Sequence, residues 1–196
     1  MLSKLQLLKY YKTFETNRII EDFAERQRCE PQSHIYHVTV VFRPHWFHGR
    51  VWTGKTGSAR HELIGKFAPE MFGLFRQWWV HGLADYMPNF HRPNKIALQP
   101  VCHAFLDDKG DGEPYPHIHA VCWVPAALVE GFGRWSDRSW SNFDKLDVRS
   151  ADETHEHLAN TVRYASKYHA KWVLHDSAFE LRMSLPACTP DAMKAR

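Results

Sequence analysis

Two groups of residues in this chain have the types and spacing to do chemistry. His117 and His119 stand one residue apart in the apolar run Tyr115-Pro-His-Ile-His-Ala-Val-Cys-Trp-Val-Pro125. On a strand, side chains alternate with period 2, so both imidazoles point to one face and can chelate a single metal ion. A strand histidine is more often just a hydrogen-bonded polar residue, but the neighbours Ile118, Ala120, Val121 and Cys122 mark a buried strand. There, two unsatisfied imidazoles would be costly. The second group is Tyr164-Ala-Ser-Lys167-Tyr168-His-Ala-Lys171, in which two phenolic nucleophiles are each followed three residues later by a lysine. On a helix, i and i+4 are neighbours on one side, and a lysine at i+3 can bind a phosphate or stabilise charge developing on the phenolic oxygen. A metal pair and a pair of nucleophiles with their own cations point to phosphodiester chemistry.

A second His-x-His, His155-Glu156-His157, is an internal control. It falls in a helical pattern, where residues two apart diverge by about 200° around the axis, so it should not chelate. The third ligand of the His117/His119 site is expected from the neighbouring arm of a hairpin. With the turn centred near positions 110 and 111, residues 103 to 105 lie opposite His117. That makes His103 the first candidate, with Glu113 and Asp107 behind it. A register slip of one residue would turn a different side chain to that face. Imidazoles with a carboxylate suit Mn²⁺ or Mg²⁺ recruited with a substrate phosphate, and would also accept Zn²⁺ or Ni²⁺.

The elements that must position these groups follow from patterning. Residues 2 to 27 have helical spacing and end before Cys29-Glu-Pro-Gln-Ser33, a linker. His34-Ile-Tyr-His-Val-Thr-Val-Val-Phe42 is rich in β-branched and aromatic residues and stops at Arg43-Pro44, as a central strand would. Residues 43 to 57 read as a loop, in which Trp46, Phe47, Arg50, Trp52 and Lys55 are mixed with glycines, a composition that would allow contact with DNA. A helix is predicted within 59 to 86, with Phe72, Phe75, Trp78 and Trp79 as core. Residues 95 to 106 and 115 to 124 read as two strands joined by the turn-rich 107 to 114, an antiparallel hairpin. A short helix follows Pro125, a short strand covers 146 to 150, and a last helix covers about 153 to 174. On that last helix Leu158, Val162, Ala165 and Trp172 form the stripe facing the sheet, with Tyr164 and Tyr168 on its border. The sum is an α+β fold, a largely antiparallel sheet with helices on one face. Its parts are a helical extension and linker at 1–33, a core domain at 34–175 and a tail at 176–196.

The chain has 196 residues, 44% of them hydrophobic and 14% aromatic, enough for one domain with a buried core. A formal charge of +3 permits nucleic-acid binding without requiring it. Four cysteines without a C-x-x-C pair, and no leader pattern, point to a reduced cytoplasmic protein. No apolar stretch approaches the roughly 20 residues that cross a bilayer.

At these residues the sequence resembles the HUH superfamily of single-strand DNA endonucleases, in particular rolling-circle replication initiators (Rep) of phages and plasmids. Three landmarks carry the likeness in order: His37-Val-Thr-Val-Val-Phe42, Pro116-His117-Ile118-His119, and Tyr164 to Lys171. The paired tyrosines four apart are similar to phage gene A-like initiators. The resemblance implies a ferredoxin-like core with the histidine strand central and the tyrosine helix beside it. It also implies catalysis by Tyr164 and Tyr168 with Lys167 and Lys171, and a metal site of His117, His119 and a third residue, His103 in the reading above. The cofactor would be Mg²⁺ or Mn²⁺. The substrate would be single-stranded DNA at a replication origin, as a hairpin. Helicase and polymerase of host or phage would be partners in the cytoplasm of a bacterial host, since no G-x-x-x-x-G-K-[ST] motif is present. One tyrosine would cut, leaving a 5′-phosphotyrosine and a 3′-OH primer, and the other would rejoin. An HUH transposase or relaxase is the near alternative. From another class, the alternative is a non-catalytic single-stranded nucleic-acid-binding module.

Overall fold

The computed structural model describes residues 4–43, 57–96, 98–107, 117–151, 155–166 and 181–182. In chain order the elements are α1 (Lys4–Cys29), β1 (His34–Phe42), α2 (Gly57–Tyr86), α3 (Pro93–Ile96), β2 (Val101–Asp107), β3 (His117–Val124), a 3₁₀ turn (Ala126–Leu128), α4 (Val129–Ser136), β4 (Phe143–Ser150), α5 (His155–Ala165) and β5 (Leu181–Arg182). The strands form one sheet in the order β4-β1-β3-β2-β5, and every pairing is antiparallel. The α+β class expected from the sequence is therefore observed. β3 is buried along its whole length, as its unbroken apolar run requires of a strand with helices over both faces.

Alternation sorts the sheet residues between two cores. Val38, Val40 and Phe42 of β1 and Ile118, Ala120, Cys122 and Val124 of β3 face α2 and α4, which contribute Phe75, Trp78, Trp79, Phe132 and Trp135. The opposite face carries Ile35, Val101, Phe105, Val121 and Trp123, covered by Ile19, Ile20 and Phe23 of α1 and by Leu158, Ala159, Val162 and Ala165 of α5. Helices thus cover both faces, which corrects the one-face arrangement predicted above. The periodicity of α1 showed that it had an apolar side, but not which surface that side would meet. The segment read as an N-terminal extension closes the second core. It is tied to α5 by Thr16 Oγ1 and Ser166 Oγ at 3.1 Å. It is tied to the sheet by Trp123 Nε1 donating to Ser33 Oγ at 2.9 Å, with the Arg26 guanidinium 5.2 Å over the indole.

On the first face, α2 and α4 meet through two reciprocal close approaches. A Cβ at Gly82 of α2 would sit 2.5 Å from Trp135 Nε1, and one at Gly131 of α4 would sit 2.6 Å from Tyr86 Cβ. Each helix lays an aromatic side chain on bare backbone of the other. The absent side chains set how closely the helices pack.

The predicted hairpin is present, but its register differs from the expected one. Asp107 pairs with His117, Phe105 with His119 and His103 with Val121, so the pairing is centred further along the chain than positions 110 and 111. Of the tail predicted at 176–196, Leu181 and Arg182 pair with Ala104 and His103 as β5. Residues 44–56 of the loop predicted at 43 to 57, Trp172 and the rest of that tail lie outside the described residues. Among the described residues, no helix is long and apolar enough to cross a membrane.

Candidate functional site

The second face of the sheet is apolar at one end and polar at the other, and the polar end is the site. In register across the strands, Arg149, His37 and Val121 form one row, Asp147, Thr39 and His119 the next, and Lys145, Val41 and His117 the third. Directly opposed residues share a face, so the imidazoles, the threonine and the three charged residues of β4 all turn toward α5. There Asn160, Thr161 and Tyr164 overhang them, and the two sides bound a cleft of about 500 Å³.

His117 and His119 are the most buried polar members, 4% and 3% exposed. Their Nε2 atoms lie 3.1 Å apart with the rings nearly perpendicular. That spacing fits two ligands of one ion. At a metal–nitrogen distance of about 2.1 Å it corresponds to an angle of about 95° at the ion. The other edge of His119 is occupied as well: Nδ1 lies 3.2 Å from His37 Nε2 and 3.2 Å from Thr39 Oγ1. His37 therefore approaches the far side of the His119 ring and does not converge with the two Nε2 atoms. Consistent with this, no group of three or more His, Cys, Asp or Glu side chains arranged to hold an ion occurs among the described residues.

Tyr164 stands over this cluster. Its ring packs edge-on against His119 at 5.1 Å and against His37 at 5.7 Å, and it is 48% exposed. The position follows from the wheel. Leu158, Val162 and Ala165 are buried against the sheet, and Tyr164 takes the border, as the sequence indicated. A phenol held by its ring against two imidazoles and open to solvent is accessible to a polymeric substrate. On the other wall, Arg149 pairs with Asp147 through two contacts, Nε to Oδ1 at 3.2 Å and Nη2 to Oδ2 at 2.8 Å. The carboxylate raises the pKa of the exposed guanidinium. With Lys145, the wall presents two cations against one carboxylate, a balance that suits an anionic ligand.

The other predicted residues fall elsewhere. His103 lies one strand further out, in the row of His37 beyond Val121. Its ring meets Phe23 of α1 at 5.4 Å, so the structure does not bring it to the His117/His119 pair. The reason is the register: Phe105, not His103, lies across from His119. Asp107 occupies the register position across from His117. Tyr168, Lys167, Lys171 and Glu113 lie outside the described residues. His155 opens α5 and His157 is exposed on it, so this second histidine pair is helical, as expected.

Sequence reasoning placed His37 and Thr39 on a strand but assigned them no role. A usable signal was present, because they are polar residues at i and i+2 in the mostly apolar run from Ile35 to Phe42, the pattern that drew attention to His117 and His119. Lys145, Asp147 and Arg149 show the same alternation on β4. No family model, curated protein or solved structure matches the chain.

Proposed function

We propose that this chain is an HUH-type endonuclease and strand transferase that nicks and rejoins single-stranded DNA, as a rolling-circle replication initiator does. The observation that carries the reading is the shared cleft. An accessible phenol, Tyr164, packs directly on one of two buried imidazoles whose Nε2 atoms are spaced for a common ion, and cations line the opposite wall. The ferredoxin-like reading of the fold is supported by the order β4-β1-β3-β2 and by helices between β1 and β2 and between β3 and β4.

His117 and His119 would hold a divalent ion, Mg²⁺ or Mn²⁺, with Asp107 at the register position beside them. When bound, such an ion polarises a phosphate oxygen and neutralises charge on the scissile group. The chain's own groups do the rest. The Tyr164 phenol gives up its proton to solvent as its oxygen attacks phosphorus, the P–O3′ bond breaks, and the departing oxygen takes up a proton from solvent to become a 3′-OH. One phosphodiester is exchanged for another, so the bond is conserved and can be resealed without ATP. Lys145 and Arg149 give the phosphates flanking the cut a cationic wall, and the ring contacts to His37 and His119 fix the approach of the phenol. Tyr168, with the same lysine spacing, is the second nucleophile for rejoining.

The test uses a pool of 3′-labelled single-stranded oligonucleotides of randomised sequence with Mn²⁺. The wild-type chain is expected to carry label through denaturing electrophoresis, and Tyr164→Phe/Tyr168→Phe to carry none. Adduct of undiminished intensity in the double variant would overturn the assignment of the nucleophiles. Binding of the pool without any adduct, unaffected by chelator, would favour a non-catalytic binding module.

A further inference from the structure

His119 is gripped at both ends of its ring, and the two grips are chemically different. At one end stands another imidazole nitrogen, His117 Nε2 at 3.1 Å. At the other stand an imidazole nitrogen and a hydroxyl, His37 Nε2 and Thr39 Oγ1, each 3.2 Å from Nδ1 and each able to accept a proton from it or donate one to it. The His37 and His119 rings are within 20° of parallel with centroids 5.1 Å apart. The centroid separation exceeds the nitrogen separation by most of a ring width, so the rings meet edge to edge, as a ring-to-ring hydrogen bond requires. Thr39 reaches the same nitrogen because it is the direct partner of His119 across β1 and β3. A neutral imidazole carries one proton and one lone pair. With the proton on Nε2, His119 could satisfy His117 but would have no lone pair there for an ion. With the proton on Nδ1, it donates to His37 or Thr39, and Nε2 is left to coordinate.

We infer that His37 and Thr39 are positioning residues that hold His119 in its Nδ1–H tautomer and so present Nε2 for a divalent ion beside His117. This rests on the metal-site reading above and extends it to two residues that would not touch the ion. Hydrogen-bond partners on the far nitrogen of a ligating histidine fix its tautomer and ring orientation, and their loss typically costs about 10- to 100-fold in metal affinity. The two contacts back each other up, so removing either alone leaves the other acceptor in place.

The inference is tested by side-chain ¹⁵N spectra of the metal-free chain together with Mn²⁺ titration. In wild type, His119 should show the Nδ1–H pattern. His37→Ala/Thr39→Val should lose that pattern and bind Mn²⁺ about 10- to 100-fold more weakly. Thr39→Ser in the His37→Ala background should restore both, because serine returns the acceptor oxygen. Should the double variant fail to fold, His37→Phe/Thr39→Val, which removes both acceptors while keeping a ring and a branched side chain in their places, carries the same tautomer and titration readings. Unchanged Mn²⁺ affinity in a double variant whose wild type binds the ion overturns this inference and leaves the proposed site standing. A wild-type chain that binds no Mn²⁺ overturns both.

Discussion

The packing of α2 on α4 yields a matched pair of substitutions with different expected outcomes. Gly73 and Gly82 both lie inside α2, and replacing either by alanine removes the same backbone entropy cost, about 0.8–1 kcal/mol in favour of the folded state. The surroundings differ. A Cβ at Gly73 meets nothing within 4 Å, whereas one at Gly82 would lie 2.5, 2.6 and 2.9 Å from three atoms of the Trp135 indole. Real carbon contacts do not approach that closely, and the indole has little room to retreat, because it packs against Trp140 at 5.9 Å and under the Arg138 guanidinium at 5.3 Å. Overpacking of this kind typically costs about 1–3 kcal/mol. Gly73→Ala should therefore stabilise the chain by about 1 kcal/mol, and Gly82→Ala should be near neutral to destabilising by about 2 kcal/mol. Urea unfolding followed by circular dichroism measures both, and the helix-propensity gain cancels in the difference between the variants. A Gly82→Ala chain as stable as Gly73→Ala, at equal m-value, would refute the proposed contact between the helices.

Two further perturbations follow. His103→Leu should leave Mn²⁺ affinity within about twofold, since His103 lies beyond Val121 against Phe23; a loss of tenfold or more in a titration would show that it is a ligand after all. Stability should fall in alkali. Burial pushes the Cys122 thiol well above its ordinary 9.0 and, with Cys122 and Cys102 nearby, pushes the Tyr86 phenol above 10.0. Both groups stay protonated when folded and release protons on unfolding. Their contribution is therefore complete below pH 9 and declines as pH rises beyond their unfolded values, at up to about 1.4 kcal/mol per pH unit for each group. Cys122→Ala should delay the onset by about one pH unit, and denaturant midpoints between pH 8 and 11 would reveal an unshifted onset if the assignment is mistaken.

The parts of this molecule legible in the sequence are those fixed by local alternation. β1 was bounded at His34 and Phe42 because its composition and the following Arg43-Pro44 both speak for a strand, and the structure has those bounds. The shared direction of His117 and His119 follows from period 2 alone. The border position of Tyr164 follows from the turn angle of a helix. What local pattern could not supply was pairing. The third residue beside the histidine pair depended on hairpin register, and with a loop of uncertain centre the choice fell on His103 when Phe105 lies opposite His119. Likewise, β1 and β3 are adjacent although more than seventy residues separate Thr39 from His119, so no reading of neighbouring sequence could bring those two together. The placement of α1 against α5 is of the same kind, since an apolar stripe specifies that a face is buried but not which partner buries it.

β4 ends the sheet on one side, leaving one rim of its backbone without a neighbouring strand among those described. Such a rim is a template on which another chain could add by main-chain hydrogen bonding. Along this strand stand Asp144, Lys145, Asp147 and Arg149, and charges at a sheet margin make a stacked second copy costly. The side chains that line one wall of the cleft thus also guard against aggregation. Neutralising Lys145 and Arg149 to weaken the proposed contact with DNA would at the same time strip that margin of its protection, so a drop in solubility should accompany the expected drop in binding.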